Sequence, residues 1–342
     1  MINKFKINDK EFDVSTTKQS SLVINSYPKN YSVHFKSFKK EFNDSEIILI
    51  DSKVAETYNI KHSKIIKIEA KEDNKSMDTV LFVCNLLLEY QFDKGSTLIA
   101  IGGGIIQDIA AFVGKIFKRG INWIYVPTTL LSQCDSCIGG KTALNFQNFK
   151  NQLALYSSPS EVIIDTNFID TLTDKEIISG YGEIIKLFLI GGNYYIDNLN
   201  AFDLETIIFH TLSIKKAVIE HDEFDYCERK SLNYGHSFGH AIEAMTDYGV
   251  SHGEAVLFGI ELINKLFTNS KDITNIVNTK INFDQIKNLP NKINIINYLK
   301  TDKKVSNNSI SFVIVTEPGN TIFKETILDQ QLADKIHEVL ID

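Results

Sequence analysis

The chain has 342 residues, 43% of them apolar and 23% charged, with a formal net charge of −7. At roughly 100–200 residues per domain this predicts two domains, each large enough to bury a core without disulfide staples. The acidic balance excludes a general nucleic-acid or anionic-membrane binder, whose footprint is a basic excess, but leaves room for an anionic small substrate met by local positive charge. Four cysteines, Cys84, Cys134, Cys137 and Cys227, make no disulfide framework at this length. The start, MINKFKINDKEF, lacks the apolar run of a signal peptide and no stretch is long enough for a membrane helix, so the cytoplasm is the expected compartment.

In chain order, residues 46–51, 64–69, 97–101, 122–126 and 161–165 are short runs rich in Ile and Val, and read as strands. Helical patterns over Met77–Tyr90 and Asp108–Phe117 fit between them. Strands alternating with helices predict an α/β domain with a largely parallel sheet.

The strand at 97–101 runs into Gly102-Gly103-Gly104, with a helix expected from Gln107 or Asp108. Glycines let the backbone approach a ligand, and a helix amino terminus offers free N–H groups to an anion, which is the geometry of a dinucleotide's pyrophosphate site. It is not the GxGxxG fingerprint. The segment Val126–Asn151 gathers hydroxyls (Thr128, Thr129), a carboxylate (Asp135), a Gly-Gly-Lys-Thr turn holding Lys141, and the pair Lys150-Asn151. We read it as a polar functional loop and not as a Walker A loop, because the first glycine of that motif is missing. Cys134 and Cys137 lack the second pair that a zinc ribbon needs and read as packed residues.

After about Thr173 the pattern becomes helical. Thr173-x-x-Glu176 is a capping box opening a helix through Ile190, and further helices cover Leu204–His221, Gly235–Thr246 and His252–Phe267. In the first of these, Glu183 and Lys186 can face the same way amid apolar neighbours, and a buried Glu and Lys need partners. The stretch Asn269–Asn297 reads as loops and short helices, and the runs around Pro318-Gly319-Asn320 as a hairpin.

His236 and His240 are four apart and share a helix face, and His252 follows twelve residues later. Spacing alone suggests that all three bind one metal ion. A carboxylate from elsewhere is an equally good third ligand, leaving one histidine for acid–base work. Only two of the 36 basic residues are arginines, Arg119 and Arg229, and a rigid bidentate fork suits phosphate or carboxylate as lysine does not.

Together these residues resemble the sugar-phosphate cyclase superfamily, and within it the 3-dehydroquinate synthase family most closely. The matching pieces stand in family order. They are the GGGxxxD turn ending at Asp108, Arg119-Gly120, VPTTLLSQ-x-DS-x-x-GGKT over Val126–Thr142, Lys150-Asn151, GEIIK over Gly182–Lys186 and Asp222-Glu223. LNYGHSFGHAIE over Leu232–Glu243, HGEAV over His252–Val256 and DKK over Asp302–Lys304 complete them.

The resemblance implies a dehydroquinate synthase-like fold. An α/β, Rossmann-like amino-terminal domain (1–173) would bind NAD, and a mainly α-helical carboxyl-terminal domain (174–342) would carry metal and substrate. It divides the histidines: Glu183, His236 and His252 would hold one divalent ion, zinc or cobalt, and His240 would lie near the substrate phosphate. Lys141, Asn151, Lys186 and Lys215 would hold the substrate together with Arg229, Asn233 and Lys303. Asp135 would contact it near the metal, and Arg119 would reach the phosphate from the neighbouring subunit of a homodimer. For NAD the implied positions are Asp51, Glu72, Lys75, Gly103, Gly104 and Asp108, then Thr128, Thr129, Lys150, Phe168 and Thr171, with Lys141 touching both ligands.

The implied reaction converts 3-deoxy-D-arabino-heptulosonate 7-phosphate to 3-dehydroquinate and phosphate. It runs by transient oxidation by NAD, phosphate elimination, re-reduction and intramolecular aldol closure, a carbon–oxygen lyase step of the shikimate pathway to aromatic amino acids. Another cyclase acting on sedoheptulose 7-phosphate, or a metal-dependent NAD dehydrogenase of the glycerol-dehydrogenase type, is the alternative. The chain departs from the family pattern at Lys71 and Phe149, where the family usually has Gly, at Gly182, where it has Ala, and at Cys134 and Cys137, where it has Val and Ser.

Overall fold

The computed structural model describes residues 1–39, 41–147, 149–247, 249–288, 295–300 and 308–341. They form two units, Gln19–Leu172 and a second made of Met1–Lys18 with Thr173–Asp342. The expected division at 1–173 and 174–342 is therefore corrected at its start. Strands β1 (Ile2–Ile7) and β2 (Lys10–Ser15) form a hairpin whose buried residues alternate, Phe5 and Ile7 against Phe12 and Val14. Asn8 at the turn has φ 50°, the left-handed geometry that Asn tolerates in tight hairpins.

The α/β unit contains β3 (Ser21–Ile24), β4 (Tyr31–Phe35), β5 (Glu46–Asp51), α1 (Ser52–Thr57), β6 (Ile65–Ile68), α2 (Met77–Glu89) and β7 (Thr97–Gly102). It continues with α3 (Gly104–Ile116), β8 (Trp123–Pro127), β9 (Lys141–Phe146), β10 (Phe149–Tyr156) and β11 (Glu161–Ile164). Seven strands make one sheet, ordered β3-β4-β11-β8-β7-β5-β6, all parallel except the β3–β4 pair. β5 and β7 are almost wholly buried, which is why they read as unbroken Ile and Leu runs. The chain leaves β5 toward β6 and returns to β7 on the other side, so the strand order reverses between β5 and β7. In such sheets ligands bind outside the carboxyl ends of the strands at that reversal. Asp51 ends β5 and Gly102 ends β7.

Two local expectations change. Helix α3 starts at Gly104, ahead of the expected Gln107 or Asp108; glycine is a poor helix former, so propensity alone delays the start. The Val126–Asn151 stretch is not all loop, because its second half enters the two-stranded β9–β10 hairpin.

The second unit contains α4 (Asp174–Gly191), α5 (Asn193–Asn198), α6 (Leu204–His221), α7 (His236–Met245), α8 (His252–Phe267) and α9 (Lys271–Val277). It ends with α10 (Ile295–Lys300), β12 (Ser309–Glu317), β13 (Asn320–Ile327) and α11 (Gln330–Ile341). The capping box at Thr173 and Glu176 opens α4, and a second at Ser251 and Glu254 opens α8. The expected hairpin is β12–β13, but it is part of a four-stranded sheet ordered β12-β13-β1-β2. β1 lies parallel to β13, with Lys6 N donating to Gly319 O at 2.8 Å and Asn8 N to Thr321 O at 2.7 Å. That pairing is what assigns the first residues to this unit. Among the described residues no helix is long and apolar enough to cross a membrane.

Candidate active site

In the helical unit the chemistry gathers where α4, α7 and α8 meet. Glu183 of α4 is fully buried. Its Oε1 lies 3.6 Å from His236 Nε2, at the start of α7, and 3.5 Å from His252 Nε2, at the start of α8. Two ligand atoms each about 2.1 Å from one tetrahedral ion lie roughly 3.4 Å apart, so this spacing fits a shared divalent ion. The other atoms of the cluster are committed elsewhere. Glu183 Oε2 accepts from the buried Lys186 Nζ. His236 Nδ1 is 3.1 Å from Tyr234 O, and His252 Nδ1 is 3.3 Å from Glu243 Oε2. Each imidazole is thus oriented through Nδ1 with Nε2 left toward Glu183, the arrangement usual for metal-binding histidines. Burial opposes a charged His252, but Glu183 and Glu243 outweigh it and push its pKa up to about 10. This pocket strongly favours positive charge.

The rings of His236, His240 and His252 do cluster, with centroids 5.3–6.1 Å apart. They do not form one donor set. Among the described residues two sets converge, Glu183–His236–His252 and His240–Glu243–His252. The three-histidine set that spacing suggests is replaced by one in which a distant carboxylate stands between two of them. His240 is exposed.

Backbone contact sets these positions. Each of the three converging residues stands next to a glycine. A Cβ at Gly182 would lie 2.2 Å from Gly253 O, one at Gly253 1.9 Å from Ser179 O, and one at Gly235 2.6 Å from Val256 O. Only residues without a Cβ let α4 and α7 approach α8 this closely. Gly182, where the family pattern has Ala, belongs to this seam.

The anion-holding candidates of this unit are buried on neighbouring elements. Lys215 lies on α6 and Arg229 in a short 3-10 turn that ends at Asn233. Asp222 builds the loop before that turn, accepting from the backbone N–H of Tyr226, Cys227 and Arg229 at 2.9, 2.7 and 3.1 Å. Burial alone would raise the Asp222 carboxyl, but these donors and the Arg229 charge hold it below its ordinary range. Arg229 Nη1 donates to Glu223 O. Lys303 lies outside the described residues.

In the α/β unit the carboxyl ends of β5 and β7 bring Asp51 and the glycine turn to the strand-order reversal. Asp51 caps α1. Gly103 precedes α3, and a Cβ on Gly104 would meet nothing within 4 Å, so the space at that helix start is open to a ligand. Thr128 is buried, and Thr129 Oγ1 donates to Ser132 Oγ at 2.8 Å. Asp135 sits in a π-helical turn, Ser132–Ser136, between Cys134 and Cys137, which are buried and in no disulfide, as expected of packed residues.

Around α3 a polar network joins Lys75, Asp108 and Asn151. Lys75 Nζ pairs with Asp108 at 2.6 Å and donates to Asn151 Oδ1 at 2.7 Å. Burial holds the Asp108 carboxyl above its ordinary value even beside Lys75. Lys141 opens β9 and Lys150 lies in β10. Thr171 Oγ1 is 3.1 Å from Tyr58 OH and donates to Phe168 O at 3.3 Å, and the Phe168 ring is buried in the core against Tyr58. Arg119 is exposed, and it follows Lys118 in the left-handed region at φ 69° and 47°. Such geometry costs a non-glycine residue about 1–2 kcal/mol, so that turn is held by its surroundings. Asn145 and Glu243 are the residues that motif reading left without a role.

A family model described as 3-dehydroquinate synthase N-terminal matches residues 65–179, and one described as 3-dehydroquinate synthase C-terminal matches residues 180–305. A 3-dehydroquinate synthase of Pelagibacter ubique is 34% identical over 355 aligned positions, covering 94% of each chain. One from Helicobacter pylori is 34% identical over 338, covering 90% of this chain and 97% of its own. Among solved structures, 2-deoxy-scyllo-inosose synthase complexed with carbaglucose-6-phosphate, NAD+ and Co2+ matches with TM-score 0.80 and 22% identity, over 94% of this chain and 99% of its own. The 2-epi-5-epi-valiolone synthase of Streptomyces hygroscopicus, with NAD+ and Zn2+ bound, matches with TM-score 0.77 and 20% identity, over 92% and 98%. These structural likenesses show the fold, which is dehydroquinate synthase-like. Family models across both units, and curated relatives that span nearly the whole chain, place this protein in the 3-dehydroquinate synthase family.

Proposed function

We propose that this protein is a 3-dehydroquinate synthase, a carbon–oxygen lyase that converts 3-deoxy-D-arabino-heptulosonate 7-phosphate to 3-dehydroquinate and inorganic phosphate. The observation that carries the reading is the convergence of Glu183 Oε1 with the Nε2 atoms of His236 and His252, in a chain of this family. Those three residues would hold one divalent ion, zinc or cobalt, and the glycine turn with Asp51, Glu72, Lys75 and Asp108 would hold NAD. When bound, NAD supplies a hydride acceptor that is also the donor within one turnover, and the metal supplies Lewis acidity at a substrate oxygen.

The protein's own groups orient and neutralise. Lys186 occupies one Glu183 oxygen and keeps the other toward the imidazoles. Lys186, Lys215 and Arg229 meet the substrate's carboxylate and phosphate, with Asn233 on its hydroxyls; charge-assisted bonds in a buried site are the strong kind. His240, outside the Glu183 set, is left to donate a proton from its imidazole to the phosphate. Lys141, Asn151 and Asp135 complete the substrate contacts, and Thr128, Thr129, Lys150, Phe168 and Thr171 those to NAD. Arg119 would act on a partner's substrate, which makes the working form a homodimer. Four cysteines outside any disulfide suit a cytoplasmic enzyme of aromatic amino-acid biosynthesis.

Phosphate release tests this. With NAD and zinc or cobalt present, 3-deoxy-D-arabino-heptulosonate 7-phosphate should yield one phosphate per molecule without accumulation of NADH. Release from sedoheptulose 7-phosphate alone would assign another cyclase activity, and stoichiometric NADH a dehydrogenase.

A further inference from the structure

Asn145 lies in β9 and has no part in the sites described above, yet it bonds residues of two of them. Its backbone N–H donates to Lys75 O at 2.9 Å. Its side-chain Nδ2 donates to Glu72 Oε1 at 2.9 Å and to Glu72 O at 3.2 Å. Its Oδ1 accepts from the backbone N–H of Asn151 at 3.0 Å. One amide therefore grips the turn at Glu72–Asn74 on one side and the β10 strand on the other. Only a group that is donor and acceptor at once can do both.

Asn151 depends on that grip. The β9–β10 register shifts between Phe149 and Leu153, and Asn151 has φ 56°. The paired register passes over this residue, and bonds to Asn145 and Lys75 hold it. Lys75 in turn pairs with Asp108, whose Oδ1 accepts from Thr142 Oγ1 at 2.7 Å and Ala143 N at 3.2 Å, returning to β9. The network closes on itself, with Asn145 as the member that touches both ends.

We propose that Asn145 is a positioning residue that couples the nucleotide site to the substrate site within the α/β unit. This rests on the reading that Glu72, Lys75 and Asp108 hold NAD and that Asn151 contacts the substrate. A dinucleotide that orders Glu72 and Lys75 also orders Asn151 through Asn145, so the second ligand meets a site already arranged. By linkage the effect is reciprocal: each ligand tightens the other by the same factor.

The test uses the metal-loaded full-length protein. NAD affinity is measured by titration calorimetry without and with a saturating phosphonate analogue of the heptulosonate substrate, in which a methylene replaces the ester oxygen and phosphate cannot leave. The native protein should bind NAD at least about fivefold tighter with the analogue, the low end of ordinary coupling. In Asn145→Ala the ratio should fall to within about twofold of one. Asn145→Asp serves if the alanine variant does not fold; it keeps the shape but sets a carboxylate against Glu72, and should lose the ratio likewise. A merely structural residue would lower the thermal midpoint or both affinities and leave the ratio unchanged, which would overturn the proposal. So would a native ratio near one. A native protein that binds no NAD would instead overturn the functional reading, and that is seen before any substitution is made.

Discussion

Around Glu183, His236 and His252 the backbones of three helices touch, and glycines at 182, 235 and 253 make the contact. Around Asp108 and Asn151 the backbones stand apart, and side chains from the Glu72 turn, α3, β9 and β10 bridge the gap with hydrogen bonds. In the first region Glu183 and Lys186 are almost without solvent access, and His236 and His252 keep 12% and 32% exposure. The second keeps Lys75 and Asp108 at 12% and 16% exposure. A cluster built on backbone contact holds its spacing before any ligand arrives. A cluster built on side-chain hydrogen bonds can tighten around one.

Glu183→Gln should break the rigid region most severely. It removes the carboxylate on which both imidazoles converge and leaves the buried Lys186 ammonium without its anion. Breaking a buried pair this way costs about 3–5 kcal/mol. Urea unfolding should show that loss, and a chelator-competition assay should show loss of the bound ion; retention of both would deny that this cluster is the metal centre.

His210 tests burial without hydrogen bonding in the same unit. It packs among Tyr194, Tyr195, Phe202 and Phe209, its Nδ1 has no hydrogen-bond partner among the described residues, and burial pushes its pKa down to about 4. A folded-state pKa below the unfolded one leaves stability untouched above the ordinary value of 6.5 and removes it progressively as pH falls to about 4. The loss across that window is about 3 kcal/mol, because each tenfold difference in proton affinity between the folded and unfolded chain is worth about 1.4 kcal/mol. Denaturation midpoints between pH 7 and 4 should reveal it, and His210→Leu should flatten the slope.

Gly253→Ala probes the seam itself. The added Cβ meets Ser179 O at 1.9 Å. The atoms it meets are backbone and cannot swing aside, so overpacking costs about 3 kcal/mol, helix propensity returns about 1, and the net loss is about 2 kcal/mol. Metal affinity should drop at least tenfold, because the helices carrying Glu183 and His252 must part. Unchanged affinity would show that the glycines pack without positioning.

Lys75→Met is the mildest change. Its partner Asp108 keeps its hydrogen bonds from Thr142 Oγ1 and Ala143 N, so thermal unfolding should register a loss of about 1 kcal/mol. NAD affinity should fall about tenfold while metal content stays at the native level. A variant that lost metal as well would erase the distinction between the two regions.

Much of the fold was legible along the chain. Helix α6 and α8 ends, the capping box at Thr173 and the strand runs at 46–51 and 97–101 agree with local patterns, because cap chemistry and periodicity are properties of adjacent residues. The β1–β2 hairpin carried a readable signal too, apolar alternation around Asn8, but nothing local says that it pairs with a strand more than 300 residues away. Polar β9 and β10 look like loop because Asn, Gln and Lys are poor strand formers, and tertiary bonds override that preference.

The histidines mark the same boundary. Their spacing established that His236, His240 and His252 come near one another, since helix geometry relates residues four apart and a short turn returns the chain. Which of them faces a carboxylate was decided by where α4 lies against α8, a matter of glycines at 182 and 253 meeting across a helix pair. Asn145 is the same case in the other unit, an ordinary polar residue until the fold set Glu72 and Asn151 on either side of it. Local geometry repeats every two or four residues and can be read from the chain; contact between distant backbones depends on the whole packing, and exists only once the chain has closed on itself.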